Sequence, residues 1–302
     1  MSKLSEFELL ELTLHESESR LHAVLGAGLK KITGPALLDE HLPTWSSSFF
    51  GLEKSSAFRA ASKETKSSII RRCSVDVLHE AFFIEESGMA FASKMSLLSE
   101  TREERMLYNL FAADEATHFH WVQNALGGYS ADLQPNQFHR LLESVIRHGQ
   151  RESLVFIIQV ILEGWGLAHY RSLLRECGHV GFRDVLERIL RDEARHHGSS
   201  VVLCRERGLP DRARGEVVET MRSFLEMVRF GPQSVLAAID QELGGLNKEQ
   251  KRRTLEELEC ESHSLSRLNH LRDLMMQEGF ESIVAELSDL GAFTPYPVEA
   301  CL

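Results

Sequence analysis

Apolar side chains recur at helical spacing along most of the chain, and no stretch alternates as a strand would. Between residues 66 and 98, for example, they follow a period near 3.6, which places them on one face of a helix. Thr101 with Glu104 has the form of a capping box that starts the next helix. Four long helices are predicted, over 66–98, from Thr101 to Gly127-Gly128, over 138–176 with a bend at Gly149, and over 182–207.

Shorter helical patterns flank these four long helices on both sides. Gly208 and Pro210 form a strong stop signal after the fourth helix, and Asn247 is a suitable N-cap further on. The pattern predicts a helix over 5–26, an irregular segment over 27–64, and helices over 212–230, 233–243, 248–278 and 280–290. We therefore expect a single all-α domain over 1–302, with a bundle core over 66–207, an N-terminal helix and irregular cover over 1–65, and accessory helices over 212–290.

Composition narrows the class of protein. The 302 residues are 43% hydrophobic and 26% charged, with a net charge of −11, which argues against nucleic acid as a partner. The five cysteines contain no Cys-x-x-Cys pair and indicate reduced thiols in a cytoplasm. The most apolar run, Leu154–Leu162, is too short to span a bilayer, and no export signal precedes it. We expect a cytoplasmic protein without a membrane span.

One motif occurs twice and dominates the chemistry. Asp114-Glu115-Ala116-Thr117-His118 and Asp192-Glu193-Ala194-Arg195-His196 both read Asp-Glu-Ala-x-His. Residues three apart share a helix face, so each motif offers one carboxylate and one imidazole to the same point. Four-helix dimetal sites take such a pair from each of two helices and a lone Glu from each of the other two. Two further helices should therefore each carry a Glu at the matching position.

Glu163 and Glu85 satisfy this requirement. Glu163 directly follows the apolar run, and Glu85 lies on the apolar stripe of its own helix, next to the alternative Glu86. Glu85 precedes Glu115 by 30 residues (115 − 85), and Glu163 precedes Glu193 by 30 (193 − 163). Gly164 and Gly166 are costly in a helix and predict a local bulge or room for a bulky group beside Glu163.

These residues carry a resemblance to the ferritin-like diiron carboxylate superfamily. The segment 190–196 is similar to a helix of ribonucleotide reductase small subunits, and 162–170 resembles the third helix of demethoxyubiquinone hydroxylases. The resemblance implies a ferritin-like four-helix bundle. It implies metal ligation by Glu85, Glu115, His118, Glu163, Glu193 and His196. Asp114 and Asp192 would accept hydrogen bonds from the opposite histidines, His196 and His118 respectively, and so orient them.

Departures from known members restrict the function. Val122 stands where a radical-generating reductase subunit has Tyr, and Ile189 stands where arylamine N-oxygenases have a further ligand His. What remains is a dimetal oxygenase or oxidase of a small organic substrate, with two Fe ions, or Mn/Fe or Mn/Mn, and O2 or peroxide as oxidant. A separate reductase or other external electron donor and a homodimer fit this class. Two alternatives stay open: a dimanganese catalase or peroxide-handling protein, and a helical interaction or metal-storage protein without catalysis.

Overall fold

The structure is a computed structural model of the chain, and it describes residues 24–25, 27–29, 42–130, 134–277 and 280–302. Within these ranges the regular elements are helices, and the pairing of Trp45 with Cys177 is an isolated bridge rather than a strand. The all-α class predicted from the sequence is confirmed. The α-helices are α1 (Ser56–Ala60), α2 (Lys63–Leu98), α3 (Arg102–Leu126), α4 (Gln137–His148), α5 (Arg151–Leu154), α6 (Glu163–Glu176), α7 (Val180–Arg207), α8 (Asp211–Val228), α9 (Gln233–Glu242), α10 (Lys248–Glu257), α11 (Cys260–Gln277) and α12 (Glu281–Asp289).

Two predicted helices are divided in the structure. The helix expected over 138–176 is not bent at Gly149 but ends there, and a π-helix (Val155–Leu162) joins α5 to α6. The helix expected over 248–278 is interrupted at Glu259, whose φ of 54° lies in the left-handed region. The helix expected over 5–26 lies almost wholly outside the described residues.

The chain forms two compact units, and two segments contribute to each. The first unit contains Met1–Leu42 and Leu78–Arg151, and the second contains Pro43–Val77 and Glu152–Leu302. The chain passes between the units at three places: before Pro43, within α2 and at the start of α5. The candidate metal ligands therefore fall into two groups, one for each unit.

In the first unit, side-chain caps fix the ends of α3 and α4. The hydroxyl of Thr101 accepts a hydrogen bond from the backbone N–H of Glu104 at 3.1 Å, which is one of the two bonds of the capping box predicted from the sequence; the Glu104 carboxylate accepts instead from the backbone N–H of Glu100. Lys94 donates from its Nζ to the carbonyl oxygens of Ile146 and Gly149, at 2.6 and 2.8 Å. A lysine that binds the last carbonyls of a helix stabilises its C-terminus, which explains why α4 stops at Gly149.

Glu104 also reaches across the first unit. Its carboxylate accepts from the backbone N–H of Glu100 at 3.1 Å, and it lies 3.0 Å from the guanidinium of Arg151. Both partners of this ion pair are buried. Burial strengthens their attraction but removes both charges from water, so the pair fixes geometry more than it adds stability.

The second unit has the π-helix at its centre. Every residue from Val155 to Ile161 is buried, which agrees with the core helix expected from the apolar run. Trp45 is also buried, and its indole N–H donates to the Leu173 carbonyl at 2.9 Å. A buried indole needs such a partner, so this bond ties the segment before α1 to α6.

The stretch Arg151–Glu176 is long and apolar enough to cross a membrane by length and composition alone. However, 61% of its most apolar 18-residue window is buried inside the protein, as in a core helix. This burial agrees with the interpretation made from the sequence, since a lipid-facing helix would expose those side chains.

Candidate metal centre

Helices α2 and α3 bring together three of the predicted ligands in the first unit. Glu85 lies on α2, and Glu115 and His118 lie one turn apart on α3. Their exposed fractions are 1%, 6% and 0%. The Nδ1 atom of His118 lies 3.2 Å from Glu85 Oε2 and 3.8 Å from Glu115 Oε2, and one ligand atom from each residue lies within 4.8 Å of the others. The group is therefore compact enough to hold one metal ion.

A glycine on α2 makes room for this group. A Cβ atom placed on Gly88 would lie 2.4 Å from Glu115 Oε2 and 2.7 Å from its carboxyl carbon. Real Cβ atoms do not approach an oxygen this closely, so any larger residue would displace the Glu115 carboxylate. Gly88, three residues after Glu85, is thus needed in the site because a side chain there would occupy the position of the Glu115 carboxylate.

The structure separates Glu85 from Glu86, which the sequence left as alternatives. Of these two acids, Glu85 is part of the group that contains Glu115 and His118 among the described residues, and Glu86 is not. Glu86 is half-buried, and burial, with a smaller contribution from Glu143, raises the pKa of its carboxyl to about 7. Adjacent helical positions point about 100° apart, so the two acids face different surroundings.

The second unit contains an equivalent group. Glu163 begins α6, and Glu193 and His196 lie one turn apart on α7. His196 is fully buried, Glu193 is 8% exposed and Glu163 is half-buried. The Nδ1 atom of His196 lies 3.7 Å from Glu193 Oε2, and a ligand atom from each of the three lies within 4.8 Å of the others. Each unit thus offers two carboxylates and one imidazole at one place.

The backbone before Glu163 departs from α-helical geometry. The π-helix ends directly at Glu163, and such segments are rare and concentrate at functional sites. His197 Nδ1 lies 3.1 Å from the Gln159 carbonyl oxygen, and a carbonyl can only accept, so this imidazole donates from Nδ1. This bond ties α7 to the π-helix beside the ligands. The spacing of the motif does not reveal this bond, because His197 follows a predicted ligand by one residue and so points about 100° away from the ligand face.

Gly164 permits the close approach of His197. A Cβ atom at this position would lie 2.9 Å from His197 Cε1 and 2.9 Å from a methyl group of Leu274. The expected room for a bulky group beside Glu163 is therefore confirmed, and the group is an imidazole. By contrast, a Cβ atom on Gly166 would meet nothing within 4 Å. Of the two glycines that flank Glu163, only Gly164 is required by packing.

Asp114 and Asp192 are both partly exposed. The Asp192 carboxylate lies 3.2 Å from the guanidinium of Arg195, one turn further along α7. A partly exposed pair of this kind contributes little to stability. The orientation of His118 by Asp192 and of His196 by Asp114 stays a prediction.

The donor set fits a hard divalent cation. Two carboxylates packed against each other in a protein interior repel, unless a proton or a cation lies between them. Carboxylate oxygen with imidazole nitrogen suits iron and manganese, whereas a structural zinc site usually includes thiolates. A buried group of glutamate and histidine side chains that could hold a metal ion is thus present in each unit.

Comparison of the chain with protein-family models, with curated proteins and with solved structures finds no match.

The contact at Gly88 predicts a selective loss of metal affinity. Gly88→Ala should weaken metal binding by about tenfold or more, because the added methyl displaces the Glu115 carboxylate. Helix propensity alone favours alanine by up to about 1 kcal/mol, so thermal unfolding of the metal-free protein should change little. Competitive titration with a chelator measures the affinity.

Gly166→Ala is the matched control, because its methyl group enters open space. It should bind metal as the unmodified protein does. Equal metal affinity in Gly88→Ala and Gly166→Ala would show that the Glu115 carboxylate does not ligate where the structure places it.

Proposed function

We propose that the protein is a non-haem dimetal oxidoreductase, most simply a diiron oxygenase or oxidase that uses O2 on a small organic substrate. The ligands would be Glu85, Glu115 and His118 in the first unit, and Glu163, Glu193 and His196 in the second. The proposal combines the two groups as the halves of one centre, in the manner of four-helix dimetal proteins. Its ferritin-like classification is part of the same proposal.

The observation that supports the proposal most is the repetition of one ligand set. A lone Glu on one helix and a Glu-x-x-His on the next occur in each unit, and in each case the three side chains converge. A chance charged pair on an amphipathic helix would remain solvated. Here, five of the six side chains are buried: Glu85, Glu115, His118, Glu193 and His196.

The charge of the ligand set favours iron or manganese in a redox role. Four carboxylates neutralise two divalent ions, and this anionic set stabilises higher oxidation states better than neutral ligands do. When bound, the metal pair would supply the redox chemistry with O2 or peroxide, which the carboxylates and imidazoles of the ligand set do not perform by themselves. An external electron donor, such as a separate reductase, belongs to the oxygenase form of the proposal.

The chain itself would orient the ligands and exclude water from the site. Phe82 and Phe83 precede Glu85 on α2 and are both buried, and Phe82 packs against Phe119 with ring centroids 4.7 Å apart. Apolar walls exclude water, which strengthens the electrostatic interactions of the carboxylates and limits side reactions. His197 and Gly164 would hold α7 against the π-helix, so that His196 and Glu163 keep a fixed separation.

Metal loading followed by oxygen consumption tests the proposal. The protein is loaded with Fe(II) without air, desalted and mixed with O2, while oxygen uptake and the visible spectrum are recorded. Rapid uptake close to the metal stoichiometry supports O2 activation. Fast peroxide disproportionation by the Mn(II) form, without organic substrate, would favour the catalase alternative. Iron that accumulates far beyond two ions per chain would favour storage.

The metal content itself is the next prediction. The loaded protein should hold about two transition-metal ions per chain, one for each group. His118→Ala and His196→Ala should each lower the content, because each removes the only imidazole of one group. Elemental analysis after gel filtration measures the ratio. No more than trace metal in the unmodified protein would refute the dimetal proposal.

A matched pair of substitutions tests the register of α2. Glu85→Gln should lower metal occupancy and abolish oxygen uptake, because an amide is a poor ligand and carries no charge. Glu86→Gln makes the same replacement of a carboxylate by an amide one residue later, and it should change neither metal occupancy nor oxygen uptake. Circular dichroism should show both variants to be helical, so that any difference reflects the site. Equal losses, or loss in Glu86→Gln alone, would contradict the assignment of Glu85.

A further inference from the structure

Two buried thiols meet at a place remote in sequence from the metal ligands. Cys260 begins α11, and Cys301 ends the 3-10 turn Val298–Cys301 near the end of the chain. Their exposed fractions are 1% and 7%, and their Sγ atoms lie 3.9 Å apart. Both belong to one small apolar core that also contains Leu236, Leu255 and Val298.

The surrounding backbone holds each thiol in place. A Cβ atom on Gly231 would lie 2.5 Å from Cys260 Sγ, so the glycine there is needed to accommodate this sulfur. Gly231 also has φ of +75°, which other residues rarely adopt. The Cys301 carbonyl accepts from the Gln233 side chain at 3.2 Å, and the Val298 N–H donates to Glu261 at 3.3 Å. The pairing of the two sulfurs is thus built into the fold.

We propose that Cys260 and Cys301 are a redox-sensitive pair that closes to a disulfide and locks the C-terminal turn onto α11. A disulfide has an S–S length of about 2.05 Å, so the sulfurs must approach by about 1.9 Å from 3.9 Å, through side-chain rotation. The alternative of a metal site lacks ligands, because neither cysteine belongs to a metal-ligand group among the described residues. The proposal does not depend on the proposed metal centre.

The oxidant belongs to the peroxide class. One sulfur, as a thiolate, attacks a peroxide oxygen, the O–O bond breaks, and a sulfenic acid and one water form. The second sulfur then attacks the sulfenic sulfur and releases another water. Overall, two thiols and one hydrogen peroxide give one disulfide and two waters, with two electrons passing from sulfur to oxygen. Diamide can accept the same two electrons and two protons.

Burial makes the reaction slow at neutral pH. It raises the pKa of the Cys260 thiol to about 12, with a smaller contribution from Cys301, and it also raises the pKa of Cys301. The thiolate is the reactive form. At pH values below this pKa, the rate of disulfide formation should therefore rise about tenfold for each unit by which the pH is increased. Dithiothreitol should reverse the closure.

Peptide mapping of the intact chain tests the pair. Native protein is treated with hydrogen peroxide or diamide at pH 9, alkylated, digested and analysed by mass spectrometry. We expect a cross-linked peptide that contains Cys260 and Cys301, a mass lower by two hydrogen atoms, and an unfolding midpoint higher by roughly 5 °C. Persistence of both free thiols, or pairing of Cys260 with another cysteine, would overturn the proposal.

Two single substitutions give the controls. Cys301→Ser keeps nearly the same side-chain shape in a short 3-10 turn, so it should leave the helices intact while it abolishes both the cross-link and the oxidative rise in the unfolding midpoint. Cys204→Ser removes a partly exposed thiol elsewhere and should change neither. An oxidative rise that persists in Cys301→Ser would show that another modification causes it, which contradicts the pair as the redox element.

Discussion

The packing of two carboxylates against one imidazole in a protein interior is the constraint on which the site depends. An isolated buried carboxylate loses its hydration, and two of them side by side also repel. In the first unit Glu85 and Glu115 both lie near Nδ1 of His118, and in the second Glu163 and Glu193 converge with His196. A cation at each place would turn this repulsion into mutual attraction. The helices that carry these residues must therefore hold them close in spite of their charge.

The two units meet that constraint by different means, although their sequences look like a repeat. In the first, α2 remains regular, and the missing side chain at Gly88 leaves the space that Glu115 occupies. In the second, the π-helix changes the backbone before Glu163, and Gly164 leaves space for His197 rather than for a ligand. Matched spacing of 30 residues thus does not produce matched packing. The contacts at Gly88 and Gly164 depend on the size of the side chain that packs against each glycine, and the spacing of the ligands in the sequence does not predict that size.

The sequence predicted the helices and the ligand face because both follow from local periodicity. The apolar stripe of α2 and the equal spacings select Glu85, and the structure groups Glu85 with Glu115 and His118. The position of the break at Gly149 was predicted, but as a bend rather than a helix end, because local periodicity does not record the contact of Lys94, more than 50 residues away, with the carbonyls at the end of α4. The interruption at Glu259 depends likewise on one left-handed residue that is not a glycine.

Burial has different consequences for the carboxylates and for the thiols of this protein. Burial raises the pKa of any acid, because it disfavours the charged form. A thiol such as Cys260, already neutral at physiological pH, becomes more firmly protonated, and its pKa of about 12 keeps it largely in the unreactive thiol form at that pH. A carboxylate is ionised at that pH, and the same burial forces it either to take up a proton, as the raised pKa of Glu86 indicates, or to bind a positive charge. Glu115 and Glu193 each lie beside a histidine on their own helix, and this histidine offers a nitrogen ligand to a metal ion. The pairing of acid and imidazole therefore gives each of the two groups a set of donors that could hold a metal ion.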